Sequence, residues 1–555
     1  MILSCLTDDF PSDSFLFSER RVQAISIFFV GKRTNSPKHS PNTVKDVEVV
    51  KMQSRSSPLC LVRQKSEQPQ LTRIQLKTKI LVANRGEIAI RIIRAIQELN
   101  YEAVAIYETP DRDSRHIRIA NEAVWIGDGP RCDYLDIDKV INAAVHTGAI
   151  AIHPGYGFLA ENSDFARACE EAGIIFIGPS SEVIDKLGNK VMARQIMAEA
   201  GIPMVPGTKN LKAGDEGLQE AVDFGKQYGY PIMLKATSGG GGRGIRRIES
   251  ESELAEQYPI ARSEAKAAFN DDSVYLEKVV VKPKHIEVQI IADKTGKTIH
   301  LGTRDCSIQR RNQKLIEIAP AFHLSPELSE EICRTAIQAA QAADYFNAGT
   351  VEFLLDSDNS FYFMEINTRL QVEHTVTEMI TGIDIVRTQI KLALGKELLF
   401  DQESVQLRGH AIEMRINAED PQNNFMPEGG KTVAVYRSPG GYGVRLDGFC
   451  YQGFTIPEAY DSLLVKLTVF GWSWHETVDR LRRCLTNFVI TGPKTTIPFY
   501  LNLINHPDFA DGQFDTSFLE ENEQLFEYEE NITEVNKLAR LIAEIHQKGK
   551  NTYAA

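Results

Sequence analysis

Residues 79–107 read KILVANRGEIAIRIIRAIQELNYEAVAIY. This stretch indicates the fold class of the part of the chain that begins with it. The two ends, KILVAN and YEAVAIY, are apolar runs of strand length. Between them, apolar residues recur at helical spacing on one face: Ile88, Ile92, Ile93, Ile96 and Leu99. A strand, a helix and a second strand in this order predict a βαβ unit with parallel strands.

The alternation of strands and helices continues to about residue 190. Further strands in 149–162 (AIAIHPGYGFLAEN) and 173–180 (GIIFIGPS) predict a parallel sheet with covering helices. One helix is then expected from Val183 to Ala200. The first strand–helix junction, 83–88, reads ANRGEI instead of GxGxxG, so it lacks the closely spaced glycines that admit a pyrophosphate. A nicotinamide dehydrogenase is therefore disfavoured.

Four consecutive glycines lie in the stretch 235–244, KATSGGGGRG, between the predicted strands YPIMLKA and SVYLEKVV. The bare backbone N–H groups of such a loop can surround a polyphosphate, and Lys235 supplies a cation beside it. The loop lacks the Gly-Lys-Ser/Thr of a Walker A motif, and a strand follows where that motif has a helix. A mobile surface hairpin is the alternative interpretation of the loop alone.

Two further predicted strands, TVEFLLD (350–356) and SFYFMEIN (360–367), carry carboxylates among apolar neighbours. Unpaired, Glu352 and Glu365 would be costly there. Glu365, Asn367 and Arg369 alternate, which predicts that they share one face of a strand. Carboxylate and amide oxygens, together with nucleotide phosphates, are usual ligands of Mg²⁺. The pattern favours a metal site, and a solvated sheet face with paired charges is the alternative.

The composition excludes several classes of protein. The 555 residues are 43% hydrophobic and 25% charged, unlike collagen-like or low-complexity chains. A formal net charge of −13 would repel a phosphate backbone, so we expect no nucleic-acid partner. Eight scattered cysteines without a CxxC pair favour a reduced, cytoplasmic protein. The apolar stretch AISIFFV (24–30) is too short to span a bilayer, so we expect no membrane association.

Residues 1–78 differ from the rest of the chain. They contain 12 Lys and Arg against 7 Asp and Glu, are rich in Ser and Pro, and show little periodicity. This composition predicts a disordered basic leader. The Arg- and Ser-rich part from Met52 is compatible with an organellar transit peptide, whereas four early acids argue against one: Asp8, Asp9, Asp13 and Glu19. A start codon placed too far upstream is a further interpretation.

Seven motifs occur in order between about Lys79 and Phe518: NRGEIAIR, HPGYGFLAEN, the GGGGRG loop with its lysine, EKVVVKPKHIEVQ, RDCSIQRRNQK, MEINTRLQVEHTVTEMITG and GHAIEMRINAEDP. Together they resemble the biotin carboxylase subunit of biotin-dependent carboxylases, an ATP-grasp enzyme. The resemblance implies an α/β and α+β multidomain fold. Its parts would be a Rossmann-like N-terminal domain (79–192), an ATP-grasp domain (193–394) with a mobile lid at about 206–281, a β-rich C-terminal domain (408–518) and a charged tail (519–555).

The resemblance also implies an ATP site. Lys190 and Lys235 would contact the phosphates, the lid loop would close over them through Gly241 and Gly242, and the backbone at Lys278 and Val280 would contact the adenine. The other implied ATP-site residues are Glu277, His285, Gln309, Asn312, Glu352, Leu354 and Glu365. Two Mg²⁺ or Mn²⁺ ions would be held by Glu352, Glu365 and Asn367.

A second implied set of residues would carry out the chemistry. Bicarbonate would be bound by Lys314, Arg369, Gln371 and Val372. Glu373 would be the general base, and Arg415 would hold biotin and steady the carboxyphosphate; Lys314, Arg369, Glu373 and Arg415 form the implied catalytic set. The implied reaction is ATP-dependent carboxylation of biotin through carboxyphosphate, the first half-reaction of acetyl-CoA or pyruvate carboxylase. A base would activate bicarbonate, and fixed cations would reduce the cost of bringing two anions together.

Asn312 departs from the family pattern, which usually has histidine in the stretch 309–314, here QRRNQK. An amide donates a hydrogen bond but carries no positive charge. We therefore expect weaker nucleotide binding rather than an inactive protein.

The chain contains no Ala-Met-Lys-Met biotinylation motif. We therefore expect biotin to be supplied by a separate biotin carboxyl carrier protein, with the carboxyltransferase on another chain, and the family implies a homodimer. Two alternatives remain open. One is another ATP-grasp ligase, which would lack the bicarbonate set. The other is a non-catalytic or differently specific ATP-grasp subunit of an acyl-CoA carboxylase complex, which only Asn312 supports.

Overall fold

The computed structural model describes residues 78–129, 133–237, 244–269 and 271–528. The predicted leader up to residue 77, the glycines Gly241 and Gly242, and the tail from residue 529 lie outside the described residues. Within the described part, no helix has the length and apolar character needed to cross a bilayer.

The N-terminal part is a five-stranded parallel sheet in the order β3-β2-β1-β4-β5. Its strands are β1 (Lys79–Val82), β2 (Glu102–Glu108), β3 (Glu122–Gly127), β4 (Ala151–His153) and β5 (Ile175–Phe176). Its helices are α1 (Gly86–Glu98), α2 (Arg115–Ile119), α3 (Ile137–Thr147) and α4 (Ser163–Glu171). The predicted βαβ unit is confirmed, because β1 and β2 are parallel and α1 buries its isoleucine face in the core.

The single helix predicted from Val183 to Ala200 is wrong. The structure has two helices there, α5 (Ser181–Gly188) and α6 (Lys190–Glu199). Asn189 separates them with an extended backbone, and its side chain accepts a hydrogen bond from the Met192 N–H at 3.2 Å. An asparagine that caps the second helix competes with continuation of the first, and helical periodicity alone does not reveal such a break.

A small antiparallel sheet in the order β7-β6-β8 follows. Its elements are α7 (Gly214–Tyr228), β6 (Ile232–Ala236), β7 (Ile245–Ile248), α8 (Glu251–Phe269) and β8 (Val274–Lys278). The predicted strands YPIMLKA and SVYLEKVV are confirmed as β6 and β8, which pair with each other. Between the glycine loop and β8 the structure adds β7 and α8, which the sequence analysis did not predict. This unit has a hydrophobic core of its own, centred on Ile232, Leu234 and Leu276.

The largest sheet has eight antiparallel strands in the order β15-β14-β9-β10-β13-β16-β21-β20. The elements up to residue 393 are β9 (Lys284–Ala292), β10 (Thr298–Asp305), β11 (Gln309–Arg310), β12 (Gln313–Lys314), β13 (Ile316–Ala319), α9 (Pro326–Ala342), β14 (Asn347–Leu355), β15 (Phe361–Asn367), α10 (His374–Thr381) and α11 (Ile385–Ala393).

The remaining elements are β16 (His410–Asn417), β17 (Glu419–Asp420), β18 (Met426–Pro427), β19 (Val435–Arg437), β20 (Val444–Gly448), β21 (Leu463–Gly471), α12 (Trp474–Asn487), β22 (Val489–Thr491), α13 (Ile497–Ile504), α14 (Pro507–Ala510) and α15 (Phe518–Glu521). Short 3₁₀ helices occupy Thr109–Asp111, Asp133–Leu135, Gln402–Ser404, Pro421–Asn423 and Glu523–Phe526. Because β13 pairs with β16, the large sheet runs without interruption from the central into the C-terminal part of the chain.

The large sheet has one apolar and one polar face, as the period of two along a strand requires. In β9, Ile286, Val288 and Ile290 belong to the hydrophobic core. The intervening His285, Glu287 and Gln289 are buried as well, although they are polar. The candidate site is built on this buried polar face.

The expectation that Arg369 continues the face of β15 is wrong, because β15 ends at Asn367 and Arg369 lies in the loop that follows. The register between β14 and β15 also shifts at Glu352 and Phe353, so that Met364 has no partner on β14. This β-bulge breaks the simple alternation and leaves Met364 and Glu365 both exposed.

Candidate active site

Charged side chains line up across neighbouring strands on the polar face. Glu352 is the direct cross-strand partner of Glu365 on one side and of Glu287 on the other. Glu287 in turn lies opposite Arg304 on β10. The pairing of strands that are distant in sequence therefore brings three carboxylates and a guanidinium into one row.

Lys314 is the centre of the acidic cluster. Its Nζ lies 2.5 Å from Glu287 Oε2, 2.8 Å from Glu352 Oε1 and 2.8 Å from Glu373 Oε1. Burial disfavours the charged ammonium, but the three carboxylates outweigh that penalty and raise the pKa of Lys314 well above its ordinary value. Lys314 is therefore a fixed cation at the middle of three acids.

Glu373 is fully buried and lies between two cations, Lys314 and Arg415. The Nη2 atom of Arg415 lies 3.1 Å from Glu373 Oε2. Burial disfavours the ionised carboxylate, but the charge of Lys314, with a contribution from Arg415, lowers the pKa of Glu373. The carboxylate is thus ionised at neutral pH and able to accept a proton.

Arg415 has a second acidic partner, Glu317, whose Oε1 lies 2.5 Å from Arg415 Nη2. Glu317 is the cross-strand partner of Glu413, and both are fully buried. Burial raises the pKa of Glu317 to about 8, despite Arg415, and raises the pKa of Glu413 to about 7, despite Lys466. A pair of buried acids that titrates near neutral pH therefore lies behind Arg415.

Glu352 is surrounded by hydrogen-bond donors from three elements. Its oxygens accept from His285 Nε2 at 2.8 Å, Asn367 Nδ2 at 2.8 Å and Gln371 Nε2 at 3.0 Å. Burial opposes ionisation of Glu352, but Lys314 and His285 outweigh it and lower the pKa. Gln309 supports the arrangement from outside, with its Nε2 3.1 Å from His285 Nδ1.

Arg369 lies beside this network, on the loop between β15 and α10. Its Nη2 donates to Asn367 Oδ1 at 3.1 Å, its Nη1 donates to Gln371 Oε1 at 3.3 Å, and its Nε lies 2.9 Å from Glu161 Oε2. The guanidinium is thus oriented by three oxygen acceptors. The structure brings Arg369 and Gln371 to the Glu352 cluster even though neither belongs to a strand.

The donor set fits a divalent metal ion. Glu352 and Glu365 are direct cross-strand partners, so two carboxylates lie side by side. Asn367 is beside them: its Nδ2 donates to Glu352, and its Oδ1 accepts from Arg369. The buried His285, Glu287 and Glu352 also offer ligand atoms within 4.8 Å of one another. Lys314 is the cation paired with Glu352, and the Asn367 amide donates a hydrogen bond to the same carboxylate oxygen.

Three residues predicted to line the ATP site lie on the small sheet: Lys235, Glu277 and Lys278. Glu277 on β8 forms ion pairs with Lys235 on β6 and with Arg194, whose Nη1 is 2.5 Å from Glu277 Oε1. Lys278 lies 3.7 Å from Asp356, and Val280 is buried just beyond β8. Leu354 on β14 is the register partner of His285, and Lys190 is exposed at the start of α6.

Asn312 lies at the exposed tip of the β11–β12 hairpin. Both loop residues have positive φ, +49° at Arg311 and +63° at Asn312, which is the geometry of a two-residue type I′ turn. Asparagine tolerates this conformation well. Asn312 is only two residues from Lys314, so the hairpin connects it directly to the acidic cluster.

The sequence reasoning did not single out four residues of the cluster: Glu287, Arg304, Glu317 and Lys466. Arg304 is fully buried, pairs with Glu287 and donates to Gln289 Oε1 at 2.9 Å. Alternating polar residues in HIEVQ were a usable signal for Glu287. The partners themselves depend on long-range strand pairing, which local periodicity does not contain.

Comparison with known proteins agrees with this architecture. The family model "Biotin carboxylase, N-terminal domain" matches residues 76–184, "Carbamoyl-phosphate synthase L chain, ATP binding domain" matches 189–400, and "Biotin carboxylase C-terminal domain" matches 413–521. The central match defines the class, an ATP-binding domain of the ATP-grasp type with the acidic cluster on its large sheet.

Similar curated proteins and solved structures identify the family within this class. Biotin carboxylase 1 of Bacillus subtilis is 50% identical over 444 residues, covering 80% of this chain and 98% of that protein. The chain spans only 41% of the pyruvate carboxylase of Bacillus subtilis, to which it is 50% identical over 480 residues. The biotin carboxylase domain of Hydrogenobacter thermophilus 2-oxoglutarate carboxylase, solved with MgADP and bicarbonate, has a TM-score of 0.75 at 48% identity and covers 82% of this chain and 100% of that one. The chain belongs to the biotin carboxylase family, and the fold class expected from the resemblance is confirmed.

Proposed function

We propose that this protein carboxylates biotin with bicarbonate and ATP, forming carboxyphosphate as an intermediate. The observation that carries the proposal is Glu373, a fully buried carboxylate held 2.8 Å from Lys314 and 3.1 Å from Arg415. An ionised base between two fixed cations is suited to activate an anionic substrate, because the cations offset the repulsion between base and substrate. Relatives with about 50% identity are named biotin carboxylases.

The first step would be attack of a bicarbonate oxygen on the γ-phosphorus of ATP. Glu373 accepts the bicarbonate proton, ADP leaves, and carboxyphosphate forms. Lys314 and Arg369 hold bicarbonate beside the base, together with Gln371 and the Val372 backbone. Because catalysis of phosphoryl transfer is mostly positioning and charge stabilisation, prearranged cations supply much of the rate.

The nucleotide would lie between the small sheet and the large sheet. Lys190 and Lys235 contact its phosphates, the loop with Gly241 and Gly242 closes over them, and the backbone at Lys278 and Val280 contacts the adenine. Glu277, His285, Gln309, Asn312 and Leu354 complete this site. The ion pair of Lys235 with Glu277 then has to open or rearrange when ATP binds.

Glu352, Glu365 and Asn367 would hold the divalent ions. When bound, Mg²⁺ or Mn²⁺ neutralises charge on the phosphates of ATP. Gln371 and His285 keep Glu352 oriented through their hydrogen bonds. The acceptor is biotin on a carrier protein, with its ring held by Arg415. Carboxyphosphate breaks into CO₂ and phosphate, the phosphate accepts the N1′ proton of biotin, and N1′ then bonds to the CO₂.

The deciding experiment measures ADP release by the purified chain with ATP and Mg²⁺, with or without bicarbonate and free biotin. We expect release that depends on bicarbonate and is stimulated by biotin, together with ¹⁴C transfer from bicarbonate to biotin. A rate of ADP release that does not depend on bicarbonate would favour another ATP-grasp ligase. ATP binding without any ADP release would favour a non-catalytic subunit.

Assembly is a separate proposal. The Hydrogenobacter relative is described as a biotin carboxylase domain dimer, and we propose the same state for this chain. Light scattering of the purified protein at micromolar concentration should give twice the mass of the chain, and a monomer mass would contradict the proposal.

A further inference from the structure

Lys466 is a buried cation that the proposed mechanism does not use. It lies on β21 with a fully buried side chain, between Val465 and Leu467 in the run LLVKLTVFG. Its Nζ donates to the carbonyl oxygen of Val372 at 2.7 Å and lies 3.2 Å from Glu87 Oε1. Burying an ammonium is costly unless it has partners, so the position of this lysine is set by specific contacts.

These contacts join three separate parts of the chain. Glu87 belongs to the segment 76–184, Val372 to the segment 189–400 and Lys466 to the segment 413–521. Tyr156 extends the network, since its hydroxyl donates to Glu87 Oε1. Glu87 therefore anchors Lys466 from one side while the Val372 carbonyl occupies the other.

The carbonyl that Lys466 holds lies in the turn that presents the proposed base. Val372 and Glu373 form the turn before α10, and the preceding carbonyl of Gln371 accepts from His374 Nδ1 at 2.8 Å. Both carbonyls of this turn are thus fixed by buried side chains. In a planar trans peptide, C=O and N–H point in opposite directions, so fixing the Val372 carbonyl also fixes the N–H of Glu373.

We propose that Lys466 is a positioning residue for the bicarbonate site: its ammonium fixes the Val372–Glu373 peptide and thereby the direction of the Glu373 carboxylate. This inference rests on the proposed function. Lys466 also lies opposite Arg415 and Asp447 in the large sheet, but none of these neighbours is a proposed ATP or metal ligand. Its loss should therefore act on bicarbonate and leave nucleotide binding nearly intact.

The test compares Lys466→Met and Lys466→Arg with the parent chain in the ADP-release assay. For Lys466→Met we expect the KM for bicarbonate to rise about tenfold to a hundredfold, since small misplacements of a reacting group have effects of this order. The KM for ATP should stay within about twofold. Parallel rises of both constants, or no change in either, would overturn the proposal.

Lys466→Arg keeps a cation for Glu87 but presents a longer, planar donor group to the Val372 carbonyl, so it tests the proposal if Lys466→Met does not fold. We expect a folded protein with a raised KM for bicarbonate, and a parental value would overturn the proposal. Thr468→Val is the matched control, because Thr468 is fully buried two residues along the same strand but contacts Glu413 and Thr375 instead of the turn. It should leave the KM for bicarbonate within about threefold.

The two proposals fail in distinguishable ways. If the rate of ADP release by the parent chain does not depend on bicarbonate, the proposed function is contradicted. A bicarbonate-dependent parent whose Lys466 variants keep the parental KM for bicarbonate would contradict the role of Lys466 alone.

Discussion

Arg415 lies 3.1 Å from Glu373, so the cation proposed to hold biotin is already paired with the proposed base. The same guanidinium atom lies 2.5 Å from Glu317. Together with Lys314, this arginine keeps Glu373 ionised, and the ion pair restrains the movement of the carboxylate. The geometry thus links proton acceptance at Glu373 to the orientation of Arg415, which would bind biotin.

Replacing Glu373 by Gln should preserve ATP binding and nearly abolish turnover. The amide keeps the volume of the side chain but cannot accept the bicarbonate proton, and losses of a general base are typically about 10²–10⁴-fold. The measurement is kcat for ADP release at saturating bicarbonate, with the Kd for ATP measured in parallel. Glu171→Gln, at the exposed end of α4, is the matched control. Activity within a few-fold of the parent would remove Glu373 from the mechanism.

Glu317→Gln should change how stability depends on pH. The pKa of Glu317 is raised to about 8 in the folded protein, whereas an unfolded chain releases this proton near the ordinary glutamate value. The folded state therefore binds more protons between these values, and its stability falls as pH rises through that interval. Glutamine does not titrate, so the variant should gain stability relative to the parent between about pH 5 and pH 8.

Thermal unfolding at several pH values measures this effect. The difference in Tm between Glu317→Gln and the parent should grow towards alkaline pH, and the exposed control Glu171→Gln should show no such trend. A difference that is constant across the range would mean that Glu317 is ionised throughout.

Asn312→His introduces the histidine that the family resemblance implies at this position and should tighten ATP binding. A partly protonated imidazole beside phosphate forms a stronger hydrogen bond than a neutral amide, which predicts a KM for ATP lower by about threefold to thirtyfold. Histidine also tolerates the positive φ of +63° at this turn position. The gain should be larger at about pH 6.5 than at about pH 8.5. An unchanged KM at both values, with Asn312→Gln as the control, would show that residue 312 does not face the nucleotide.

Arg304→Met should destabilise the protein without removing any proposed substrate contact. Arg304 is fully buried and is paired with Glu287, so its loss leaves a buried carboxylate with less compensation. Breaking such a pair typically costs about 3–5 kcal/mol. Urea unfolding measures the loss, and Glu287→Gln in the same chain should recover part of it. Arg118→Met, with an arginine side chain 60% exposed, should change stability by less than about 1 kcal/mol.

Much of the fold was predictable from local patterns. The βαβ unit, the strands β6 and β8 and the strands carrying Glu352 and Glu365 all follow from alternation and helical spacing. The break at Asn189 was missed because a capping side chain, not periodicity, ends one helix and starts the next. The position of Arg369 beyond β15 was missed because a bulge and a strand end interrupt the period of two.

The site was predictable in its residue types but not in its pairings. The residue-by-residue roles remain predictions, whereas the structure shows which side chains meet. Lys314 and Glu373 are 59 residues apart in sequence yet 2.8 Å apart in space. Such contacts depend on the order of strands in the large sheet, and no short window of sequence contains that order. Glu317 and Lys466 are deeply buried ionisable groups in apolar strands. The sheet register reveals Glu413 beside Glu317, and the packing of the loop before α10 and of α1 reveals Val372 and Glu87 beside Lys466.

The pairing of β13 with β16 limits where the chain can be split into separate polypeptides. Cutting the chain between residues 394 and 408 would leave β13 and β16 each with an open row of backbone donors and acceptors. The two fragments would tend to associate through these edges, and the cut would separate Glu317 from its partners Glu413 and Arg415. We therefore expect the central and C-terminal parts to be encoded together on one chain, because each completes the sheet of the other.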